Sequence, residues 1–304
     1  MQQTITLRQA LSPRYIVVWL WIGIARAITY LPLRLQIWLG KIIGRLFYYI
    51  AHSRRRVGRI NLKLCFPEVD EKIRADWLYR CFENIGIALM ETSLAWWGNE
   101  QRFQSLGHIE GLEHIEAAKK SGRPIMFLSC HMTCTEISGR FLRPHANIQV
   151  MYKKSKNALF ERIMLKARSD LYKDVINSKN TRGLIKGLRN GLISWYAPDQ
   201  NFGHHDTVFA PFFGVQATTL TATARMAQLT NAIILPFFPY RTSDAPYYKV
   251  VVHPPVENFP TGDDVIDAAT TNLIMERAIR LAPEQYLWTH KRFKTRPAGE
   301  PNIY

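Results

Sequence analysis

Acidic residues are absent from the first 67 positions, although the full chain carries 24 of them. The same stretch holds eleven of the 40 Lys and Arg residues, and the formal net charge of the chain is +16. So basic a chain favours an anionic partner: nucleic acid, an acidic protein or acidic lipid. Because the basic stretch is also the most apolar part of the chain, an acidic lipid surface fits it better than nucleic acid does.

Cysteine is scarce, with four residues in 304, which is too few for a disulfide framework and compatible with a reducing compartment. Cys130 and Cys134 flank His131 too closely for a zinc motif, and no second pair of ligands follows. A phosphate-binding loop, a dinucleotide glycine fingerprint and a CxxC pair are also missing. We therefore expect no metal and no cofactor. The run His204-His205-Asp206 looks like a metal cluster, but its polar loop favours solvent exposure.

An unbroken hydrophobic run long enough for a clear membrane span is lacking. Tyr15 to Ala25 is uncharged and mainly apolar, Arg26 interrupts the pattern, and the pattern then continues to Leu33. A span takes about 20 apolar residues, so this stretch is marginal as a transmembrane helix. No small-residue cleavage site is evident, which argues against a removed signal peptide.

A second apolar stretch, Gln36 to Ala51, carries Lys41 and Arg45 at helical spacing and is typical of an amphipathic helix in a membrane interface. The basic cluster that follows, Arg54-Arg55-Arg56 with Arg59, suits lipid headgroups. If the preceding segment spans the membrane, this cluster favours the cytoplasmic side for the rest of the chain. A single-pass anchor and a monotopic helix are both compatible with this pattern. The alternative is a buried core helix with a solvated charged edge.

Beyond this segment, helix-like and strand-like patterns alternate. A long helix is predicted from Asp70 to Trp97, with a stop signal at Gly98-Asn99. Strands are predicted at 124–129, 147–152, 192–197, 232–238 and 247–253. Helices are predicted at 110–120, 133–142, 156–170, 181–190, 217–229 and 263–281, with a short one near 283–288. The alternation predicts an α/β fold: a single domain over 61–304 with a mixed, largely parallel central sheet flanked by helices, behind N-terminal membrane-anchoring or interfacial helices over 1–60.

The stretch SCHMTCTEIS, residues 129–138, follows an apolar strand and places His131 at its carboxyl end, where ligands bind in open α/β sheets. Five residues within one helix put two side chains ~140° apart. His131 and Glu136 therefore meet only if His131 lies in the turn and Glu136 in the first helical turn. Thr133 to Glu136 also matches a capping box, in which the carboxylate binds the helix-start amide instead. The pattern alone leaves both interpretations open.

The spacing from His131 to Glu136 resembles the His-x-x-x-x-Asp/Glu signature of glycerolipid and lipid A acyltransferases. Other stretches extend the similarity: Val150–Lys154, Lys156-Asn157, Arg168, Gly191–Gln200, Val208–Gly214, Ala282–Trp288 and Lys291–Pro297. Together they resemble the late lipid A acyltransferases of Gram-negative bacteria, from about residue 10 to the C-terminus. The Trp-Tyr-Ala-Pro-Asp stretch and the closing segment resemble the lauroyltransferase branch more than the myristoyltransferase branch.

That resemblance implies a glycerolipid-acyltransferase-like enzyme at the bacterial inner membrane, with a cytoplasmic catalytic domain. It would move a lauroyl chain from acyl carrier protein, an acidic donor, to a hydroxyl on an anionic glycolipid acceptor, Kdo-lipid IVA. The family's catalytic pair falls on His131 and Glu136, its essential arginine on Arg168 and its aspartate on Asp199. We expect His131 to act as general base and Glu136 to hold its tautomer. Arg168, or amides at the helix start, would stabilise the oxyanion.

Several alternatives stay open. Asp199 either orients Arg168 or caps a turn, and Cys130 and Cys134 are alternative nucleophiles that nothing marks as activated. The segment from Trp288 to Arg296 could contact nucleic acid, acceptor phosphates or the membrane, or form a solvated basic tail. The chain could also be a related acyltransferase that modifies another glycolipid or a lysophospholipid, using acyl carrier protein or acyl-CoA. The non-enzyme alternative is a basic peripheral protein that binds acidic lipid or RNA.

Overall fold

The computed structural model describes residues 7–103 and 105–304, except for the side chains at positions 7 and 8. This part of the chain contains twelve α-helices: α1 Leu7–Ala10, α2 Ile16–Ile28, α3 Leu33–Ile50, α4 His52–Cys65, α5 Glu71–Trp97, α6 Glu100–Phe103, α7 Leu112–Lys120, α8 Thr135–Leu142, α9 Ala158–Leu171, α10 Thr181–Arg189, α11 Ala222–Thr230 and α12 Asp264–Leu281. It also contains nine strands: β1 Gly107–Glu110, β2 Ile125–Leu128, β3 Ile148–Tyr152, β4 Asp174–Asn177, β5 Ile193–Tyr196, β6 Thr207–Phe212, β7 Val215–Leu220, β8 Ile233–Arg241 and β9 Tyr248–Val252. Short 3₁₀ turns lie at Pro13–Tyr15 and Pro283–Gln285.

Seven of the strands form the central sheet, in the order β1-β9-β8-β2-β5-β3-β4. Neighbouring strands are parallel except β8 and β9, which are antiparallel. All four residues of β2 are buried, as expected for a central strand that has helices on both faces of the sheet. The predicted single α/β domain with a mixed, largely parallel sheet and flanking helices is therefore confirmed.

The five predicted strands all belong to this sheet, but two short edge strands, β1 and β4, escaped prediction because they are only partly buried and lack an apolar run. The predicted helix 217–229 is wrong over its first four residues. Residues 217–220 belong to β7, which pairs with β6 through a two-residue turn at Phe213-Gly214. Both turn residues have positive φ angles, 51° and 74°, which is typical of a tight hairpin.

The N-terminal apolar stretch is divided between two helices. The first, α2, has 13 residues and ends at Ile28, and α3 begins at Leu33 directly after Pro32. A 13-residue helix is roughly 20 Å long, whereas a bilayer core is about 30 Å thick. Within residues 7–103 and 105–304, no helix combines the length and the apolar character that crossing a membrane requires. The expected transmembrane helix is therefore not found.

The amphipathic helix predicted from Gln36 to Ala51 is present as α3, and it packs lengthwise on α5 through small residues. A Cβ added to Gly44 would overlap the carbonyl of Phe82, and one added to Gly86 would overlap the carbonyl of Gly40. Because the two backbones approach so closely, the large apolar side chains of α3 face away from the protein. The most exposed of these are Trp38, Leu46, Tyr49 and Ile50.

The next helix, α4, connects this N-terminal layer to the end of the chain. The side-chain amide of Asn61 donates to the carbonyls of Trp288 at 2.7 Å and His290 at 2.8 Å. Residue 60, where the two expected units were divided, lies within α4. The C-terminal segment is thereby held against α4 on one side and against the loop of His131 on the other.

Candidate active site

His131 and Asp199 meet at the carboxyl edge of the sheet because they follow two adjacent parallel strands by the same number of residues. Leu128 of β2 is in register with Tyr196 of β5, and each of the two site residues lies three positions further on. Nδ1 of His131 is 2.6 Å from Oδ1 of Asp199. The backbone N–H of His131 donates to Oδ2 of the same carboxylate at 3.0 Å. Asp199 therefore holds both the ring and the backbone of the histidine.

The carboxylate of Asp199 is almost fully buried, with 1% exposure. It accepts a third hydrogen bond, from the hydroxyl of Tyr286 at 2.9 Å. Burial by itself raises the pKa of Asp199, but the charge of His131 and the hydrogen bonds from His131 and Tyr286 outweigh it and lower the pKa to about 2. The group is therefore ionised throughout the neutral range. Asp199 is thus bonded to His131 and Tyr286, whereas Arg168, which it was expected to orient, is bonded to Glu136.

The imidazole of His131 is accessible from outside, since 37% of its side chain is exposed. Burial lowers the pKa of His131, while the charge of Asp199 and its hydrogen bond raise it, and the net result is a raised pKa. An anionic carboxylate on Nδ1 selects the tautomer with its proton on Nδ1. Nε2 is then the nitrogen that can accept a proton from a substrate, which is the arrangement of a general base.

The carboxylate of Glu136 binds Arg168 and Trp96. Its two oxygens accept from Nε and Nη2 of Arg168 at 3.0 and 2.7 Å, and Oε1 also accepts from the indole N–H of Trp96 at 2.7 Å. The expected contact between the Glu136 carboxylate and the imidazole of His131 is therefore replaced by a two-point ion pair with Arg168. This pair lies beside the histidine's loop, at the start of α8, and is less than a quarter exposed.

The capping box is not formed either. The helix α8 begins at Thr135, two residues later than predicted. The backbone N–H of Thr133 donates to the carbonyl of Gln285 at 2.8 Å, and Leu287 donates to the carbonyl of His131 at 3.1 Å. The loop that carries His131 is therefore fastened to the C-terminal segment rather than closed by its own glutamate.

A buried ion pair lies beside the contact between the His131 loop and the C-terminal segment. Nε and Nη2 of Arg241 contact the carboxylate of Glu91 at 2.5 and 2.6 Å, and both side chains are buried. Nη1 of Arg241 donates to the hydroxyl of Thr133 at 2.7 Å, and its backbone N–H donates to Oε1 of Gln285 at 2.8 Å. Neither Glu91 nor Arg241 stood out in the sequence, because each is a single charge within an ordinary apolar pattern.

The two cysteines of the loop are buried and are poor nucleophiles. Burial raises the pKa of Cys134 to about 12 and that of Cys130 well above its ordinary value. The thiolate is the reactive form of cysteine, so neither residue is activated at neutral pH.

The C-terminal basic segment is largely internal. Trp288, Arg292 and Phe293 are buried. Nη2 of Arg292 donates to the hydroxyl of Thr219 at 3.0 Å, and its guanidinium lies over the ring of Phe212. A solvated tail and a nucleic-acid patch are therefore both wrong for this segment, because its aromatic side chains belong to the core and cannot stack on bases.

The run His204-His205-Asp206 lies in an open loop, and the side chain of His205 is 90% exposed. Throughout the part of the chain that the structure describes, no three His, Cys, Asp or Glu side chains are grouped so as to hold a metal ion.

A half-exposed histidine bonded to a buried carboxylate, at the carboxyl edge of a largely parallel sheet, has the geometry that general-base chemistry requires. The family model of bacterial lipid A biosynthesis acyltransferases matches residues 4–295. The chain belongs to this family, and it is an acyltransferase of lipid A biosynthesis.

Two relatives from Escherichia coli strain K12 match nearly the whole chain. The lipid A biosynthesis lauroyltransferase is 36% identical over 296 residues, covering 97% of this chain and 96% of that protein. The lipid A biosynthesis palmitoleoyltransferase is 34% identical over 298 residues, covering 98% and 97%. Among solved structures, the 1-acyl-sn-glycerophosphate acyltransferase of Thermotoga maritima matches with a TM-score of 0.39 and 15% identity, covering 83% of this chain and 97% of that one. So distant a likeness carries no information about substrates.

Proposed function

We propose that the protein transfers a lauroyl chain from acyl carrier protein to a hydroxyl on a hydroxyacyl chain of Kdo-lipid IVA, with His131 as the general base. The observation that carries this proposal is the pair formed by His131 and Asp199, which leaves Nε2 able to take a proton. The family supports a lipid A glycolipid as acceptor. The choice of lauroyl rests on the relative named a lauroyltransferase and on the resemblance of the Trp195–Asp199 stretch and the closing segment to that branch.

The chemistry needs such a base because a secondary alcohol is a poor nucleophile at neutral pH. The acceptor oxygen bonds to the thioester carbonyl carbon while its proton moves to Nε2 of His131. The carbonyl electrons move to oxygen, and the tetrahedral intermediate then expels the thiolate, which takes the proton back from the imidazolium. Asp199 stabilises that imidazolium. No covalent enzyme intermediate is required, in keeping with two loop cysteines held as buried thiols.

We place the protein at the cytoplasmic face of the inner membrane, and its surface supports binding to an anionic lipid surface. The outward apolar residues of α3 and the basic cluster of α4 lie on consecutive helices. An apolar face inserted beside cationic side chains is the usual pattern of interfacial binding to anionic lipid. The net charge of +16 also suits an acidic carrier protein and a phosphorylated acceptor.

A product analysis tests the function. Purified protein in detergent is incubated with lauroyl, myristoyl or palmitoleoyl carrier protein, or with lauroyl-CoA, and with Kdo-lipid IVA or a lysophospholipid. Mass spectrometry should find one added lauroyl group on Kdo-lipid IVA, formed fastest from lauroyl carrier protein. His131→Ala should abolish transfer, whereas the exposed-loop control His205→Ala should leave it unchanged. Preference for another donor would overturn the assigned chain, and transfer to the lysophospholipid alone would overturn the assigned acceptor.

A further inference from the structure

The proposed transfer places a negative charge on the thioester oxygen, and fixed hydrogen-bond donors usually stabilise such a charge. One of the groups expected to serve, the guanidinium of Arg168, is already engaged. Arg168 is held in a two-point ion pair with Glu136. At the start of α8, the amides of Thr133 and Thr135 are bonded to protein carbonyls. A donor from another segment near His131 can therefore contribute to this stabilisation.

His290 lies in the C-terminal segment that is fastened to the His131 loop. The carbonyl of His290 accepts from the side chain of Asn61 at 2.8 Å, and three residues earlier Leu287 donates to the carbonyl of His131. The charges of Asp199, His131 and Arg54 all act on the imidazole of His290. His290 therefore lies three residues from the point at which the C-terminal segment is bonded to the His131 loop.

A hydrogen bond fixes the tautomer of His290. The backbone N–H of Asn201 donates to its Nε2 at 3.0 Å, so Nε2 keeps its lone pair and the ring proton is on Nδ1. Burial is the largest of the effects that lower the pKa of His290 to about 4, and the positive charges of His131, Arg292 and Arg54 add to it. The imidazole is therefore neutral over the whole range in which His131 changes its charge.

The Nδ1 proton is free to bond a ligand. Across residues 7–103 and 105–304, no protein group accepts it. His290 is half-buried and not fully enclosed. Two residues of the loop after β5 thus fix the protonation pattern of the two imidazoles, and the patterns are opposite. Asp199 leaves His131 with a free lone pair, and Asn201 leaves His290 with a free N–H.

We propose that Nδ1–H of His290 donates a hydrogen bond to the thioester oxygen as its negative charge develops during attack by the acceptor hydroxyl. The inference rests on the proposed acyl transfer, which it deepens. The donor gains strength only as charge builds on the oxygen, so it lowers the barrier more than it strengthens substrate binding. A neutral imidazole also avoids repulsion with the imidazolium that forms on His131.

Three substitutions at one position separate this role from a structural one. His290→Ala removes both nitrogens, and kcat should fall about 100-fold with little change in KM, as for the loss of one oxyanion donor. His290→Asn places an amide N–H near the position of Nδ1 and should recover much of the loss. His290→Gln places an oxygen near the position of Nε2, which preserves the bond from Asn201, and should recover less. The exposed control is His205→Ala.

The pH profile adds a second readout. If His290 is a donor to the substrate, the acid limb of kcat/KM keeps its midpoint in all three variants, because the pair of His131 and Asp199 is untouched. A structural role predicts a shifted midpoint and better recovery with Gln than with Asn, and either result would overturn the proposal. If the Ala variant does not fold, the comparison of Asn with Gln still decides. Full kcat in His290→Ala together with inactive His131→Ala would overturn this inference alone. Activity in His131→Ala would instead overturn the proposed function.

Discussion

Asp199 binds Nδ1 of His131 at 2.6 Å although 68 positions separate the two residues in the chain, whereas Glu136, only five positions away, binds Arg168. The carboxylate that orients the proposed base therefore comes from the neighbouring strand and not from the histidine's own loop. Because the two carboxylates bind different partners, substitutions of Asp199 and of Glu136 should have different effects.

Replacing Asp199 by Asn should lower kcat by about 10³-fold or more, because an amide can hold the wrong imidazole tautomer and cannot stabilise the imidazolium. His131 must be neutral to accept a proton, so kcat/KM rises with pH through its pKa. Asp199 raises that pKa above 6.5, so the acid limb should move to lower pH in the variant. Steady-state kinetics between pH 5 and 9 would show both effects. An unmoved acid limb would contradict the pairing.

Tyr286→Phe should move the acid limb in the opposite direction. Loss of the hydroxyl that donates to Oδ2 of Asp199 makes the carboxylate more basic, which raises the pKa of His131. A hydrogen bond to a charged group contributes about 1.5–3 kcal/mol, so the free energy of unfolding should fall by a similar amount. Tyr240→Phe is the matched control, since its hydroxyl contacts the carbonyl of Ala278 instead. The same pH shift in both variants would argue against a specific effect of Tyr286.

Glu136 and Arg168 should be energetically coupled, and Glu136 and His131 should not. A double-mutant cycle with Glu136→Gln and Arg168→Met should give a coupling energy of about 1–3 kcal/mol, the range for residues in direct contact. The cycle that combines Glu136→Gln with His131→Ala should give a value near zero. Urea unfolding of the six proteins in detergent measures both energies. A large coupling in the second cycle would restore the direct pairing of Glu136 with the histidine.

The buried pair formed by Glu91 and Arg241 should matter greatly for stability. Glu91→Gln leaves a buried guanidinium without its counter-charge and should lower the free energy of unfolding by about 3–5 kcal/mol. The exposed pair of Asp76 and Arg80 provides the control, because Asp76→Asn should change stability by at most about 1 kcal/mol. Chemical denaturation compares the two variants directly. Equal losses of unfolding free energy in the two variants would show that Glu91 does not stabilise the His131 loop.

Leu46→Glu should weaken binding to anionic lipid vesicles about tenfold or more, because burying one leucine side chain contributes roughly 1.5–3 kcal/mol. Leu229→Glu is the control, since Leu229 is similarly exposed, at 62% compared with 57%, but lies on α11. Co-sedimentation with vesicles measures both. Equal binding by the two variants would contradict the proposed membrane face of α3.

Much of the fold is predictable because strand and helix periodicities are local. The long helix that ends at Trp97, the five buried strands and the helices that follow three of them were all found in the sequence within a few residues of their bounds. The hairpin of β6 and β7 was missed because the strand-forming threonines at 218 and 219 run directly into a helix. The outward apolar face of α3 could be anticipated, but not the close contact of Gly44 with α5 that produces it.

The sequence offered candidate residues for the proposed site, but it did not indicate which of them are paired. His131, Glu136, Arg168 and Asp199 were all identified from short motifs, and Tyr286 lay within the Ala282–Trp288 stretch that carried the family resemblance without being singled out. The sequence did not reveal the order of the strands in the sheet, which the pairing depends on. Once β2 and β5 are known to be adjacent and in register at Leu128 and Tyr196, the meeting of His131 with Asp199 follows from counting three residues along each strand.

The amino-acid sequence by itself determined the family and the α/β class, because these depend on local patterns and motif spacing, and the same motifs singled out His131 as the candidate base. Only the tertiary structure decided which carboxylate orients His131, which nitrogen of His290 carries the proton, and that Glu136 neutralises Arg168. The physical reason is that hydrogen-bond partners are selected by distance in space. At this sheet edge, the groups nearest to His131 come from segments 68 and about 155 residues away.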